Sequence, residues 1–118
     1  MTEEVEVIIL ELLWYFLAGA FLINAVPHLV KGITGQTHMT PFKRVSPPVL
    51  NIVWGFINVV VGLFLLGIAS GLGGLTLPWD AALIDINLLV FLLGAFGNAA
   101  FLANFWSNPN ARLPWQKD

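Results

Sequence analysis

Apolar residues run almost unbroken through three stretches of the chain, about 7–30, 48–69 and 79–106, with polar or glycine-rich segments between them. A hydrocarbon core of roughly 30 Å takes about 20 helical residues at 1.5 Å each, so each stretch is long enough to span it. The middle one lies in a run from Val45 to Trp79 that contains no charged residue, and it reads as the central span of a bundle. Ser46 is suited to cap that helix, and Pro47 stands where a missing N–H costs little. Asn51, Gly55, Asn58 and Gly62 follow at spacings of four, three and four, making one small, polar stripe on a surface of Val, Leu, Ile and Phe. Lipid gives apolar helices no reason to associate, so a stripe offering close approach and hydrogen bonds is expected to face protein. On that reading, replacing Gly55 or Gly62 with Leu is expected to disrupt helix association more than replacing Leu65 or Leu66 with Ala.

The first stretch follows an acidic start, with Glu3, Glu4 and Glu6. A secretory signal has a basic leading region and a short apolar core, so this segment reads as a retained helix. Pro27 removes the bond to the Ile23 carbonyl and is expected to bend the helix, with Asn24 or His28 answering that carbonyl and Gly32 and Gly35 ending the element. Residues 31–46 read as a polar loop carrying His38. Gly71 to Pro78 is a glycine-rich connection, and Pro78 opens the third helix with Asp80 in its first turn. On that helix Asn87, Gly94, Asn98, Phe101 and Phe105 recur at heptad-like spacing, Asn104 lies off their line, and Asn108-Pro109 marks the stop.

Composition agrees. With 118 residues, 58% hydrophobic and 10% charged, and a mean hydropathy of +0.83, the chain has too little polar surface to cover a water-soluble domain. The expected fold is an all-α membrane protein, a three-transmembrane-helix bundle forming one domain over residues 1–118. A net charge of −2 with five Lys and Arg excludes a nucleic-acid binder, and without Cys there is no disulfide, thiol chemistry or Cys-ligated metal. All five basic residues, Lys31, Lys43, Arg44, Arg112 and Lys117, fall on one side of a three-span topology. The positive-inside rule then puts that side, and the C-terminus, in the cytoplasm and the N-terminus outside. The expected location is the plasma membrane, with Lys31, Lys43 and Arg44 as contacts for anionic lipid.

Asn24-Ala-Val-Pro-His28, followed after the basic loop by Ser46-Pro and by Asn51-Ile-Val-Trp-Gly55-Phe-Ile-Asn58-Val-Val-Val-Gly62, resembles a family of small bacterial multi-pass membrane proteins. The resemblance covers about a third of the chain. In that family an aromatic residue often follows the His, where this chain has Leu29. No activity is assigned to the family, so the resemblance implies the architecture and the importance of these positions, and no mechanism.

Three sets of residues are candidates for function. Asn24 and His28 stand one turn apart, and Asn51, Asn58 and Asn98 lie in the same half of the bilayer by residue count. They read either as interhelical hydrogen-bonding glue or as a pocket for a ligand or quinone headgroup. Gly55, Gly62, Gly94 and Asn87 complete the packing stripes. Glu11 and Asp85 fall inside the outer boundary without a basic neighbour; they read as snorkelling carboxylates or as a proton or cation site. With His38 in a loop, a bis-His haem is not expected, and His38-Met39 reads as a lipid contact rather than a metal site. No phosphate loop, nucleophile elbow or His-Glu metal helix occurs, so neither an enzyme nor a cofactor is expected. The leading expectation is a structural or accessory membrane subunit, forming a homo-oligomer or part of a larger complex. The alternative is a small oligomeric transporter or channel using Glu11 and Asp85.

Overall fold

The computed structural model describes residues 2–71 and 86–116. Helix α1 spans Glu3–Ile33, strands β1 and β2 span His38–Thr40 and Lys43–Ser46, and helices α2 and α3 span Pro48–Ala69 and Ile86–Trp106. All three helices are long and apolar enough to cross a membrane, with mean hydropathies of 2.0, 2.4 and 2.0.

Helix α1 is longer at both ends than the apolar pattern suggests, because its caps lie outside that pattern. The Thr2 hydroxyl accepts a hydrogen bond from the Val5 N–H at 3.3 Å, and Glu3, Glu4 and Glu6 occupy the first turn at the positive end of the helix dipole. At the other end Gly35 adopts φ +74°, a left-handed conformation natural to glycine. There the Gln36 N–H reaches the Lys31 carbonyl at 2.8 Å and the Gly35 N–H reaches Gly32 at 3.1 Å, closing the helix. Gly32 is therefore not a stop. It is buried against α2, where a Cβ would meet the Pro48 carbonyl at 2.8 Å.

Helix α2 has the expected bounds, but Ser46 does not cap it. Pro47 holds the cap position without a side-chain bond, while the Ser46 hydroxyl donates to the Lys43 carbonyl at 2.7 Å and accepts from the Thr40 hydroxyl at 2.7 Å. These bonds belong to the second departure. Residues 38–46 form an antiparallel hairpin, pairing His38 with Ser46 and Thr40 with Lys43, where a plain loop was expected. Strands of three and four residues are too short for alternation to announce them. Helix α3 ends at Trp106 as expected; its proposed start at 79–85, with Pro78 and Asp80, lies outside the described residues.

The packing centre is α1, not α2. Among the described residues α2 and α3 each pack along α1 and barely touch one another. Tyr15, Ala18, Leu65, Leu66, Ala69 and Phe91 form the buried core, so Leu65 and Leu66 belong to the α1 interface. Besides Gly32, four glycines allow the approach. A Cβ at Gly19 would collide with the Phe91 carbonyl and one at Gly94 with the Phe16 carbonyl, so α1 and α3 meet backbone to backbone. A Cβ at Gly55 or Gly62 would meet the side chains of Leu29 and Leu22, each at 2.6 Å. Outside these seams the helices stay bare: in their most apolar windows only 17, 33 and 11% of residues are buried. That leaves far more contiguous apolar surface than a water-soluble monomer carries.

Candidate functional site

Because α2 and α3 lean on α1 and barely touch one another among the described residues, a cleft opens between them with α1 as its floor. Its polar groups come from the asparagines. The Asn24 side-chain amide donates to Asn58 Oδ1 at 3.0 Å, joining α1 to α2, and Asn58 Nδ2 donates to the Trp54 carbonyl at 2.9 Å. Asn98 on α3 donates to the Ala20 carbonyl of α1 at 2.8 Å. Each helix thus contributes one amide to the floor.

At the hairpin end Asn51, fully buried, organises a second set of bonds. Its Nδ2 lies 3.0 Å from the His38 carbonyl, 3.1 Å from that of Ser46 and 3.3 Å from that of Pro47. Three carbonyl oxygens can only be met by a donor, so the amide orientation is fixed and Oδ1 points to His28 Nδ1 at 2.8 Å. Oδ1 can only accept. His28 therefore carries its proton on Nδ1, and in its neutral form Nε2 bears a lone pair.

The C-terminal segment closes this end. Gln116 Nε2 donates to the Thr40 carbonyl at 2.8 Å, Trp115 Nε1 to the Pro41 carbonyl at 3.0 Å, and Arg44 Nε to the Ala111 carbonyl at 3.4 Å. Folded under this clamp, the hairpin brings His38 onto the bundle. Its ring centroid lies 5.1 Å from that of His28 and 4.3 Å from Trp106. Reading residues 31–46 as a loop separated the two histidines; the hairpin reunites them. Burial pulls the His38 pKa down to about 4, with the neighbouring His28 and Lys31 adding to the effect. His38 Nε2 is the one side-chain nitrogen or oxygen among the described residues that is buried without a hydrogen-bond partner.

Two adjoining cavities occupy the cleft. One of about 170 Å³ is lined by His28, Met39, Trp54, Phe105 and Trp106, among others. The other, about 450 Å³, runs along the cleft past Phe16, Phe21, Asn58 and Asn98. Asn24, Trp54, Phe101 and Leu102 line both.

The structure thus brings Asn24, His28, Asn51, Asn58 and Asn98 to one side of α1, together with Gly94 at the cleft wall. Gly55 and Gly62 serve the α1–α2 seam. The bonds of Asn24 and His28 run to α2, not to the carbonyl freed by Pro27, and α1 continues as helix through Pro27. Asn87 is half-buried at the opposite end of α3. Lys31 donates to Gln36 Oε1 at 3.0 Å, Lys43 is exposed and Arg44 is half-buried, all at the hairpin end. Glu11 is exposed on α1, and Asp85 lies outside the described residues. Sequence reasoning missed the roles of His38, Gly19, Gly32, Thr40 and Gln116. Gly19 had a signal, standing between two alanines in an otherwise bulky helix; Gln116 had none.

Among the described residues no three His, Cys, Asp or Glu side chains come together as a metal site. Fold and composition define a chain with three helices fit to span a membrane, enclosing a polar-floored cleft. Comparison with protein-family models, curated proteins and solved structures gave no match.

Proposed function

We propose that the protein is a three-span integral protein of the plasma membrane, N-terminus outside and C-terminus in the cytoplasm, acting as an accessory subunit that associates through its helices. Support for the orientation comes from the ends of α1. Glu3, Glu4 and Glu6 stand at one end, whereas Lys31, Lys43, Arg44 and Arg112 sit with the hairpin and tail at the other. The motifs of the bacterial multi-pass family fit the proposal, because the side chains of the first, Asn24 and His28, are those bonded to Asn58 and Asn51 of the second.

The observation that carries the association is Gly97. The α2 stripe from Asn51 to Gly62 and Gly94 on α3 are consumed by packing within the chain, so they are not the surface offered to a partner. Around Gly97, by contrast, nothing among the described residues lies within 4 Å of where a Cβ would stand. Leu93, Gly97, Ala100 and Asn104 are all exposed on α3 at spacings of four, three and four, the same pattern that makes the internal seam. A second copy of α3 is the simplest partner. Fluorescence energy transfer between labelled chains in lipid vesicles tests this. Gly97→Leu is expected to weaken self-association at least tenfold while leaving the helical content intact, and unchanged transfer excludes this face.

The transporter alternative gains nothing comparable. Glu11 faces outward beside Val7 and Ile8, which are 48% and 54% exposed, and it contributes no group to the cleft.

A further inference from the structure

The cleft has more design than interhelical glue requires. Glue needs hydrogen bonds between helices, and Asn24–Asn58, Asn98–Ala20 and His28–Asn51 supply them. It does not need an imidazole held in one tautomer beside a void. The Asn51 amide, locked by three carbonyls, forces the His28 proton onto Nδ1. His28 also lines the 170 Å³ cavity, and among the described residues its hydrogen bond is made through Nδ1, so Nε2 is the ring nitrogen left to meet an occupant. The strongest hydrogen-bonding group offered to an occupant is therefore a neutral imidazole acceptor. One turn earlier, Asn24 lines the same void, and one of its amide N–H groups is held by Asn58 Oδ1.

The rest of the lining selects the shape and polarity of what enters. Trp54, Phe101, Phe105 and Trp106 form the walls, and flat π faces favour a flat partner. An apolar cavity of about 150 Å³ takes up benzene, so 170 Å³ holds one six-membered ring. The void leads into the 450 Å³ cavity past Phe16 and Phe21, a channel suited to an alkyl chain. The channel lies between α2 and α3, the helices that barely touch, so access is lateral, from the lipid.

We propose that this cleft binds a bilayer-soluble phenol or quinol, its ring seated between Trp54, Phe101 and Trp106, its hydroxyl donated to His28 Nε2 and its chain lying along the channel. A phenolic hydroxyl is a strong neutral donor and needs no charge in the membrane. The proposal uses the three-span reading but not the association through α3, and Gly97→Leu, which does not touch the cleft, separates the two.

The test uses the full chain in lipid nanodiscs titrated with 4-hexylphenol and, in parallel, with 4-hexylanisole, the same ring and chain with the hydroxyl methylated. Empty nanodiscs report simple partition. Saturable uptake of one phenol per chain is expected, with a shift of the His28 Nε2 signal in nitrogen-15 spectra and about tenfold weaker binding of the anisole, the worth of one hydrogen bond in a desolvated site. Leu102→Trp, which fills the cleft from α3 and leaves the residues of the Asn51–His28 bond unsubstituted, is expected to abolish binding of both. His28→Phe is expected to equalise the two probes where it folds. Equal affinities for phenol and anisole in the parent, uptake no greater than in empty nanodiscs, an unmoved His28 signal, or full binding by Leu102→Trp would each overturn the proposal.

Discussion

Replacing Asn51 by Ala removes the centre of the hairpin-end network. Asn51 is fully buried and its side chain makes bonds to His28, His38, Ser46 and Pro47. These losses are unequal. The Pro47 carbonyl keeps the backbone bond from the Asn51 N–H at 3.1 Å, so it remains satisfied. The His28 Nδ1–H is left buried without an acceptor, which costs about 1–3 kcal/mol, and weakening of the His38 and Ser46 carbonyl bonds adds about 1 kcal/mol. A total near 3 kcal/mol follows. A single interhelical bond in a membrane averages only about 0.6 kcal/mol, because the unassembled helices find other partners. Asn98→Ala, which loses one bond to Ala20, is therefore expected to cost about 1 kcal/mol or less. Reversible unfolding of the two variants in mixed micelles measures the difference directly. Asn51→Leu sharpens the comparison by restoring volume without hydrogen bonds; it should recover little of the loss. If Asn51→Ala lies within about 0.5 kcal/mol of the parent, or costs no more than Asn98→Ala, the network is not what holds the hairpin to the bundle.

Acidification should loosen the hairpin end through His38. Its pKa of about 4 in the folded chain lies below the 6.5 of an unperturbed histidine, so between those values the unfolded chain binds a proton that the folded one does not. Stability is then at its full value above about pH 6.5 and falls as pH drops towards 4; unfolding midpoints at pH 7 and 5 should differ in the parent, and His38→Phe should reduce the difference. For the helix seams, Gly94→Ala should damage the fold more than Gly62→Ala. The first puts a methyl group against the Phe16 backbone carbonyl, which cannot move aside, and the second meets the flexible tip of Leu22. Overpacking of about 1–3 kcal/mol is expected at Gly94 and less at Gly62, read from thermal unfolding in detergent.

The helices were legible because length, hydropathy and the absence of charge over some twenty residues admit one solution in a bilayer, and Pro48–Ala69 emerged with its bounds intact. The α2 stripe was legible for the same reason: small and polar residues on an apolar helix must find protein, and they found α1. What the stripe does not encode is which helix carries two seams. That role falls to α1 through Gly19 and Gly32: the small Ala18-Gly19-Ala20 run marks one close approach, whereas Gly32, near the helix end, reads equally well as a stop. The burial of Leu65 and Leu66 was not legible because leucine faces lipid and core equally well. The His28–His38 approach was hidden by the shortness of the hairpin. Its stability comes from tertiary bonds of Asn51 and Gln116, the latter 76 residues from Thr40, and no local pattern carries such a contact.

The central claim is that three helices cross the membrane with the hairpin and the C-terminal segment in the cytoplasm. The chain has no cysteine, so a single one can be placed at either end and probed in intact cells with a membrane-impermeant maleimide. Thr2→Cys should react without permeabilisation, whereas Ser107→Cys, just past the end of α3, should react only after the membrane is opened. Labelling of Ser107→Cys in intact cells, or protection of Thr2→Cys, would contradict the account.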